Sequence, residues 1–437
     1  MGTDNNIKVC KFGGSSIANR ACVEKIKRIV GDERERKVVV VSAPAGVTDS
    51  LIGLHEGEGS KKAVIERYKE NYPGEDLSEA SRDLERRLEE GALDQLKAFG
   101  EETNARLLAR DAGWTYVDPS ELFLVSNDFG NAKILPQSER GVRERLRGIG
   151  GVVVVPGFYG FTEGEKIATF SRGGSDLSGA FIAAAIRARV YENFTDSGIL
   201  NANPEIIPEA KEVEELTYEE IRELSYNGFS IMHAEAVKPI ATREIPTHIR
   251  SFGKYPHQGT RITKERIAGE DEELIGVAYE NGFCSFMVDS IGIKDEIGIL
   301  NEITGVFREE GISISYTPEG VDDVAVVLKD NQIAGGEKIS DIEKKLSERV
   351  EKSMVGSGLG VGEVEVEFRD GIGCLAVVGK GLRESPITES KILETLASEG
   401  INTENFGHGA KKRSIIYGVD KVYGEKAVRA IYDKFLA

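Results

Sequence analysis

The chain has 437 residues, 40% of them hydrophobic and 30% charged, a composition that is ordinary for a globular protein of two or three domains. Its formal net charge of −18 argues against nucleic acid or an anionic membrane surface as a partner, because both are bound by basic patches. No apolar run approaches the roughly 18 residues of a membrane-spanning helix. The first residues lack the basic flank and apolar stretch of a secretory signal, so we expect a cytoplasmic protein.

The first two thirds of the chain alternates short β-branched runs with helical patterns. Residues 7–11 predict a strand that leads through a glycine turn into a helix with apolar residues at one-face spacing. The four valines at residues 38–41 predict a strand buried on both faces, as in a parallel sheet covered by helices. Residues 60–112 have a highly charged helical pattern, which we interpret as a mostly solvated insertion.

A second series of strands and helices follows. Residues 152–155 predict another buried strand, residues 177–189 a helix rich in small side chains, and residues 190–194 a strand that ends in Thr195 and Asp196. Strand–helix–strand alternation of this kind predicts an α/β sandwich.

The last third of the chain repeats itself weakly. Helical patterns over residues 300–307 and 392–396 lead to Gly311 and Gly400, which we expect to end the two helices. In each copy a strand precedes the helix and another follows the glycine. Two tandem copies indicate a duplicated small domain, although a helix–glycine–strand sequence also arises by chance.

Three loops combine glycines with a strand end. The first glycine loop is K-F-G-G-S-S (residues 11–16), the second is S-R-G-G-S-D (residues 171–176), and the third spans residues 42–49. Glycines let the backbone approach a ligand closely, and a helix start offers unpaired N–H groups to an anion. A tight strand-to-helix turn with a serine cap explains the first loop alone equally well. Together the three loops, two of which supply a cation, favour a crevice for two anions at the sheet edge.

These motifs resemble those of the aspartokinases of the amino acid kinase family, and the resemblance covers nearly the whole chain. The family's motifs K-F-G-G-T/S-S, S-A-x-x-G-x-T, R-G-G-S-D and T-D-x-x-G match residues 11–16, 42–48, 172–176 and 195–198. The first and third of these motifs are specific together, whereas the other two are weak alone.

The resemblance implies both a fold and a reaction. The fold would be a three-layer α/β/α kinase sandwich over residues 1–265, followed by two small βαββαβ modules of the ACT type over residues 270–365 and 366–437. The reaction would be ATP-dependent phosphorylation of the side-chain carboxylate of L-aspartate to 4-phospho-L-aspartate. This reaction is the first step of lysine, threonine and methionine biosynthesis. The Mg²⁺ cofactor would be bound mainly through the nucleotide phosphates.

The resemblance also implies a role for each matching residue. The catalytic residues would be Lys11, which bridges the transferred phosphoryl group, Arg172 and Asp176. Aspartate would be bound through its amino group by Glu101 and through its α-carboxylate by Arg172, within the set Ser42, Thr48, Glu101, Arg172 and Ser175. The nucleotide would be bound by Lys11, Gly13, Gly14, Ser15, Thr195, Asp196 and Ser230. Because a carboxylate with a pKa of about 3.9 is already ionised at neutral pH, the reaction requires no general base.

The two ACT-like modules imply an amino-acid effector, lysine or threonine, and a homodimer formed through exposed sheet edges. The effector would be bound at the loop before the first module's helix and at the strand after it, by Asp295, Ile297, Gly298, Ile299, Ser313 and Ser315. Ser315 stands where some lysine-inhibited relatives carry an aspartate for the effector's ammonium group, and Asp322 or Asp323 could serve instead.

The nucleotide side departs from the family pattern. Leu200, Glu205 and Ser230 stand where many aspartokinases have a tyrosine, an arginine and a lysine. We therefore expect another cation, such as Lys238 or Lys254, to contact the ATP phosphates.

Other functions remain open on the sequence alone. A kinase for another small carboxylate or for UMP shares the glycine loops but usually lacks paired ACT modules. A catalytically weakened amino-acid sensor of the same fold is favoured by Glu205 and Ser230 and disfavoured by Lys11, Arg172 and Asp176. A dehydrogenase is excluded, because the glycines of residues 356–362 do not form G-x-G-x-x-G.

The four cysteines and five histidines show no metal-ligand spacing, so we predict no metal site made by protein side chains.

Overall fold

The computed structural model describes residues 6–148, 150–228, 232, 234–266, 273–333, 335–354, 363–407 and 413–437. The chain divides into two compact units. Unit 1 contains residues 1–199, 212–225 and 230–267, and unit 2 contains residues 200–211, 226–229 and 268–437. Within the described part of the chain, no helix is long and apolar enough to cross a membrane.

Unit 1 is built on an eight-stranded sheet and a separate hairpin. The strands of the sheet are β1 (Lys8–Phe12), β2 (Arg36–Val41), β3 (Thr115–Tyr116), β4 (Val153–Pro156), β7 (Val190–Thr195), β8 (Glu215–Thr217), β9 (Thr247–Ser251) and β10 (Thr260–Thr263). The hairpin consists of β5 (Tyr159–Phe161) and β6 (Ile167–Thr169). The order in the sheet is β3-β4-β2-β1-β7-β9-β10-β8, and all neighbours are parallel except β9 and β10.

Helices cover both faces of this sheet. The helices of unit 1 are α1 (Arg20–Asp32), α2 (Val47–His55), α3 (Lys61–Asn71), α4 (Ser78–Glu90), α5 (Leu93–Ala112), α6 (Ser138–Arg145), α7 (Gly174–Ile186), α8 (Tyr218–Tyr226) and α9 (Ala234–Thr242). Helices α1 and α5 pack against β2 on one face, and α7 packs against β1, β2 and β7 on the other. The four valines of β2 are accordingly fully buried, as their unbroken run predicts.

The charged stretch before residue 112 is less solvated than its sequence suggests. Twelve of the 20 residues of α5 are buried, among them Phe99, Gly100 and Glu101. The third glycine loop approaches α5 so closely that a Cβ on Gly100 would lie 2.8 Å from the Cβ of Ala43. The expectation of a mostly solvated insertion is therefore wrong for α5, because the charge of the neighbouring helices obscures its buried face in the sequence.

Unit 2 is built on a six-stranded antiparallel sheet. Its strands are β11 (Gly276–Asp289), β12 (Ile314–Tyr316), β13 (Asp323–Lys329), β14 (Glu365–Val378), β15 (Glu404–Gly407) and β16 (Ser414–Asp420), in the order β12-β13-β11-β14-β16-β15. Its helices are α10 (Ile299–Glu309), α11 (Gly335–Met354), α12 (Gly381–Glu384), α13 (Pro386–Ser398) and α14 (Gly424–Phe435). Gly311 and Gly400 follow α10 and α13 with φ of +68° and +70°, which confirms that glycines end these helices.

The long strands β11 and β14 run through both modules of unit 2. Residues 283–289 of β11 pair with residues 365–372 of β14 in the first module, together with β12 and β13. Residues 276–280 pair with residues 374–378 in the second module, together with β15 and β16. One strand of the second module thus comes from the beginning of β11. The predicted fold class, an α/β/α sandwich followed by two βαββαβ modules, is confirmed.

A short segment inserted in the sequence of unit 1 belongs to the core of the second module. Ala202, Ile206 and Ile207 lie in the same apolar cluster as residues of α13 and α14. The Tyr432 hydroxyl donates a hydrogen bond to the Glu209 carbonyl at 3.0 Å, and the Arg429 guanidinium donates one to the Ile206 carbonyl. Residues 200–211 are therefore anchored in unit 2.

Candidate active site

Lys11 forms a buried ion pair at the carboxyl end of β1. Its Nζ lies 2.5 Å from Oδ1 of Asp176, which is in the first turn of α7. Each residue is 8% exposed. The pair therefore joins the first and second glycine loops, as the convergence of loops at strand ends predicts.

Asn193 completes this cluster from the neighbouring strand. Its Nδ2 donates a hydrogen bond to the same Oδ1 of Asp176 at 3.0 Å, and the residue is 0% exposed. The Tyr191 hydroxyl donates to the Asp176 carbonyl at 3.3 Å, which holds the start of α7 against β7. We refer to Lys11, Asp176 and Asn193 as the Lys11 cluster.

The first and third glycine loops are tied together beside the Lys11 cluster. The Gly13 N–H donates to the Phe194 carbonyl at 3.2 Å, and the Ala45 N–H donates to the Gly14 carbonyl at 3.1 Å. A Cβ on Gly14 would lie 2.8 Å from the Ala43 carbonyl oxygen, so only glycine fits without a shift of the backbone. A Cβ on Gly13 would lie 3.4 Å from Lys11 Nζ, which places the ammonium group directly against this loop.

The second glycine loop presents Arg172 to solvent and buries Ser175. Gly173 has a φ of +83° and precedes α7, and the Asp176 N–H donates to its carbonyl at 2.9 Å. Ser175 packs so tightly that a Cβ on Gly157 would lie 2.8 Å from the Ser175 Cβ. Arg172 is exposed and has no ion pair among the described residues, so its guanidinium is available to an anion.

Glu101 is a buried carboxylate that has no counter-ion among the described residues. It is 4% exposed, and burial raises its pKa to about 8 although the Ala43 N–H hydrogen bond acts in the opposite direction. Its Oε2 has no hydrogen-bond partner within the described structure. The third loop is held beside it, because Asn104 Nδ2 donates to the Ser42 carbonyl at 2.8 Å. A buried, unpaired carboxylate of this kind is suited to an ammonium group.

Two of the predicted nucleotide residues, Thr195 and Asp196, lie at the end of β7 and directly after it. The Phe252 N–H donates to the Thr195 carbonyl at 2.7 Å, and the Ser251 hydroxyl donates to the Asp196 carbonyl at 2.9 Å. The Asp196 side chain and Ser15 are exposed, and Thr48 is half-buried. Ser230 lies outside the described residues.

Two of the three residues that depart from the family pattern belong to unit 2. Leu200 is half-buried, Glu205 is exposed, and both belong to the segment of residues 200–211 that packs in unit 2. Of the two candidate replacements, Lys254 lies in the loop after β9 and Lys238 on α9.

The six predicted effector residues lie in the first module. Asp295 ends a short 3₁₀ helix, Gly298 caps α10 with a φ of +85°, and Ile297 between them is 100% exposed. The backbone of Ser313 is hydrogen-bonded to the side-chain amide of Gln332 at 2.8 and 3.0 Å. Ile299 is buried, whereas Ser315 is half-buried.

A second buried ionic group lies on the opposite face of the same strands. Glu192 accepts hydrogen bonds from Arg36 at 2.7 and 2.9 Å and from Arg250 at 2.5 Å. Burial alone would raise the pKa of Glu192, but the two guanidinium groups and Lys8 lower it to about 2. Arg250 also donates to the Pro256 and His257 carbonyls at 3.0 and 3.2 Å and so holds the loop that carries Lys254. We refer to Arg36, Glu192 and Arg250 as the Glu192 cluster.

Sequence reasoning missed Asn193, Asn104 and the Glu192 cluster. The available signal was the pair of adjacent polar residues, Glu192 and Asn193, inside an otherwise apolar strand. Alternation would send one of two adjacent residues to solvent, whereas both are buried because helices cover both faces of the sheet.

The chain is similar to known proteins over its whole length. Residues 6–251 match the amino acid kinase family, and residues 375–435 match the ACT domain. Aspartokinase 3 of Bacillus subtilis is 35% identical, with 99% of each chain covered. An aspartokinase of Thermus thermophilus is 28% identical, with 98% of each chain covered.

Solved structures show the same fold. The aspartate kinase of Clostridium acetobutylicum is 28% identical, with a TM-score of 0.81 over 98% of this chain and 100% of that one. E. coli aspartokinase III in complex with aspartate and ADP is 21% identical, with a TM-score of 0.81 over 99% of this chain and 100% of that one. Together with the matches in sequence, these likenesses show that the chain belongs to the amino acid kinase family and, within it, to the aspartokinases.

Proposed function

We propose that the chain transfers the γ-phosphoryl group of ATP to the side-chain carboxylate of L-aspartate and forms 4-phospho-L-aspartate. The observation that carries this proposal is the Lys11 cluster, in which a buried ammonium lies against a glycine loop that can receive phosphate oxygens. A lysine ammonium has three donors, and only one is needed for Asp176. The others are free to stabilise the charge of the transferred group.

Aspartate fits the region between the second and third glycine loops. Its ammonium group would pair with Glu101, whose carboxylate is buried and has an oxygen without a partner among the described residues. Its α-carboxylate would bind Arg172, whose planar guanidinium can make two parallel hydrogen bonds. Ser42, Thr48 and Ser175 would fix the side-chain carboxylate for in-line attack.

The carboxylate needs no activation, because it is the nucleophile in its ionised form. Catalysis then comes from positioning and from neutralising the charge on the phosphoryl group. Mg²⁺ would neutralise further charge when it is bound through the nucleotide phosphates. No group of three or more His, Cys, Asp or Glu side chains in the described residues could hold a metal ion by itself.

An assay of aspartate-dependent ADP formation, with the acyl phosphate trapped as the hydroxamate, tests the proposal. We expect ADP release to require aspartate and to fail with glutamate, carbamate or UMP as acceptor. Binding of aspartate without ADP release would contradict the proposal and favour the amino-acid sensor.

Lys254 is our candidate for the phosphate contact that Glu205 and Ser230 do not provide. The loop that carries it is bound to the predicted nucleotide residues through Phe252 and Ser251, as described above. The Lys254 N–H donates to the Ser251 hydroxyl at 3.4 Å, and its exposed ammonium lies 3.8 Å from Oε2 of Glu212. A weak, exposed ion pair of this kind can be exchanged for a phosphate.

The variant Lys254→Ala should raise the KM for ATP about tenfold or more, because a hydrogen bond to a charged group is lost. The KM for aspartate should stay within about twofold in the same variant. Lys238→Ala is the matched control and should change neither constant. An increase in the KM for ATP only in the Lys238 variant would transfer the role to that residue.

We further propose that an amino acid regulates the enzyme through unit 2 and that unit 2 forms a homodimer. The large apolar side chains of Ile291, Ile297 and Val321 in the first module are mostly exposed, which supports an interface there. A thermal-shift titration with lysine, threonine and methionine identifies the effector, because a ligand of the folded state raises the melting temperature. Light scattering of the full chain and of an Ile297→Glu variant tests the dimer, which the charge should weaken.

A further inference from the structure

We infer that Asn193 is a positioning residue, which holds the Asp176 carboxylate so that the Lys11 ammonium faces the first glycine loop. This inference rests on the proposed function, because it assigns Asn193 to the phosphoryl-transfer step. It concerns a residue that contacts neither substrate and acts through Asp176.

The register of the sheet places Asn193 beside Lys11. The two residues are partners across the parallel strands β1 and β7, and both side chains point to the face covered by α7. Lys11 Nζ and Asn193 Nδ2 both bind Oδ1 of Asp176, at 2.5 and 3.0 Å. A single carboxylate oxygen is therefore held from two sides by two neighbouring strands.

This arrangement restricts the rotation of the Asp176 side chain. With only the ion pair, the carboxylate could turn about its side-chain torsions and follow the flexible lysine. The amide of a strand residue that is fully buried cannot move in this way, so it fixes the position of Oδ1. The Lys11 ammonium is then retained next to Gly13, where the phosphoryl oxygens are expected.

The chemical nature of residue 193 matters for the charge of the site. An amide donates a hydrogen bond to the carboxylate without adding charge of its own. A carboxylate at this position would repel Asp176, and an aliphatic side chain would leave Oδ1 with Lys11 alone. The Lys11 ammonium would then be held more tightly by Asp176 or displaced with it, and either change would weaken its contact with the transferred group.

An unpaired amide oxygen does not by itself distinguish Asn193. The Oδ1 atoms of Asn193 and Asn71 both lack a partner among the described residues. Both residues are fully buried in unit 1, and Asn71 Nδ2 donates to the Ile17 carbonyl at 2.8 Å. What differs is the acceptor, which for Asn193 is a carboxylate in an ion pair with the proposed catalytic lysine. Asn71 is therefore a matched control.

The test compares Asn193→Leu with Asn71→Leu in the full chain. We expect Asn193→Leu to lower kcat roughly 10- to 100-fold, by analogy with the range found for groups that orient metal ligands. The KM values for aspartate and ATP should stay within about threefold, because no substrate contact is removed. Asn71→Leu should keep kcat within about twofold. An equal loss of kcat in both variants, or an unchanged kcat in Asn193→Leu, would overturn the inference.

A double-variant comparison tests whether Asn193 acts through Asp176. In the Asp176→Ala background, Asn193→Leu should cause no further loss of kcat, since the group that it positions is absent. Losses that multiply would show an independent role and overturn the inference. If Asn193→Leu does not fold, Asn193→Val removes the same amide with a side chain that is well suited to a strand.

A crystal structure of Asn193→Leu separates this inference from the proposed function. We expect the Asp176 carboxylate to rotate and the Lys11–Asp176 contact to lengthen or change oxygen. Unchanged geometry of the pair would overturn the positioning role even if the enzyme is an active aspartokinase. If the pair is displaced in Asn193→Leu but the wild-type protein has no aspartate-dependent activity, the positioning of the pair by Asn193 is retained and the proposed function is rejected.

Discussion

Two buried ionic clusters lie on opposite faces of the central strands of unit 1. They differ in how many of their hydrogen-bond donors and acceptors already have partners. Glu192 and Asn193 are adjacent in β7 and point to opposite faces of the sheet. In the Glu192 cluster both carboxylate oxygens accept hydrogen bonds from guanidinium groups, and the pKa of Glu192 falls to about 2. In the Lys11 cluster a lysine shares one carboxylate oxygen with an amide and keeps donors for a ligand.

The difference shows how a structural charge can be told from a functional one. A saturated network has no remaining capacity for a substrate, and it contributes order to the sheet and to the loop after β9. An ion pair with spare donors at the open end of the strands can exchange partners during a reaction. The Glu192 cluster should therefore affect stability first, and the Lys11 cluster should affect turnover first.

The largest expected effect is on turnover in Lys11→Met, which keeps the length of the side chain and removes its charge. We expect kcat to fall at least about 10³-fold, because charge stabilisation of the transferred group is lost. The control is Lys8→Met on the same strand, whose ammonium is paired with Glu33 away from the site. Lys8→Met should keep kcat within about threefold. A Lys11→Met enzyme with wild-type turnover would remove the mechanism proposed here.

The next effect is on stability in Glu192→Gln. Removing the charge leaves Arg250 without its buried counter-ion and Arg36 with only the partly exposed Glu33, which should lower the free energy of unfolding by roughly 3–5 kcal/mol at pH 7. The chain has a single tryptophan, Trp114, which packs against the core of unit 1, so its fluorescence in urea reports this unit. The matched variant Glu33→Gln should cost far less, because Glu33 is partly exposed.

The same cluster predicts the direction of a pH effect. Because the pKa of Glu192 is lowered to about 2 in the folded chain, its contribution is fully present above the unfolded pKa of about 4.3. That contribution is lost as the pH falls from about 4.3 towards 2. The difference in stability between wild type and Glu192→Gln should therefore shrink over this range. A difference that stays constant down to pH 2 would show that the carboxylate charge is not the cause.

The third effect is on aspartate recognition in Glu101→Gln. The loss of a buried charge partner should raise the KM for aspartate roughly 30-fold or more, while the KM for ATP changes little. Because the pKa of Glu101 is raised to about 8, kcat/KM for aspartate in the wild type should rise with pH and level off above about 8.

Two observations would contradict this role of Glu101. One is a pH rise that persists in Glu101→Gln, since the variant has no carboxyl group to ionise. The other is an equal increase in KM for Glu102→Gln, the neighbouring carboxylate, which pairs with Arg87 and Arg106 on the outer side of α5. Comparing Glu101→Gln with Glu102→Gln thus tests whether aspartate recognition requires a carboxylate on the buried face of α5.

The glycine loops could be predicted from the sequence, whereas the groups that support them could not. Lys11, Arg172 and Asp176 stand within short motifs beside glycines, so the sequence alone marks them as candidates, and the family resemblance supplies their roles. Glu101 was identified only through the family resemblance, because its helix is charged overall and burial depends on the close approach of the third glycine loop at Gly100. Asn193 contacts Asp176, 17 positions earlier, only after β7 and α7 have packed.

In unit 2 as well, local features could be predicted from the sequence and long-range contacts could not. Helix ends at Gly311 and Gly400 follow from local preference, and the structure has them at those positions. The pairing of β11 with β14 joins residues 76 to 102 positions apart, and no local pattern specifies it. The membership of residues 200–211 in unit 2 depends likewise on apolar contacts with α13 and α14 that form only in the folded chain.

The sharing of β11 and β14 restricts how this regulatory unit can be divided. The second module needs residues 276–280, which precede the whole of the first module in the chain. A fragment that begins at β14 would leave the inner edge of its sheet open, and only a circular permutation that appends these residues would close it. Recombination during evolution faces the same constraint. An exchange of a single module would break two continuous strands, so the pair is expected to be inherited and replaced as one piece.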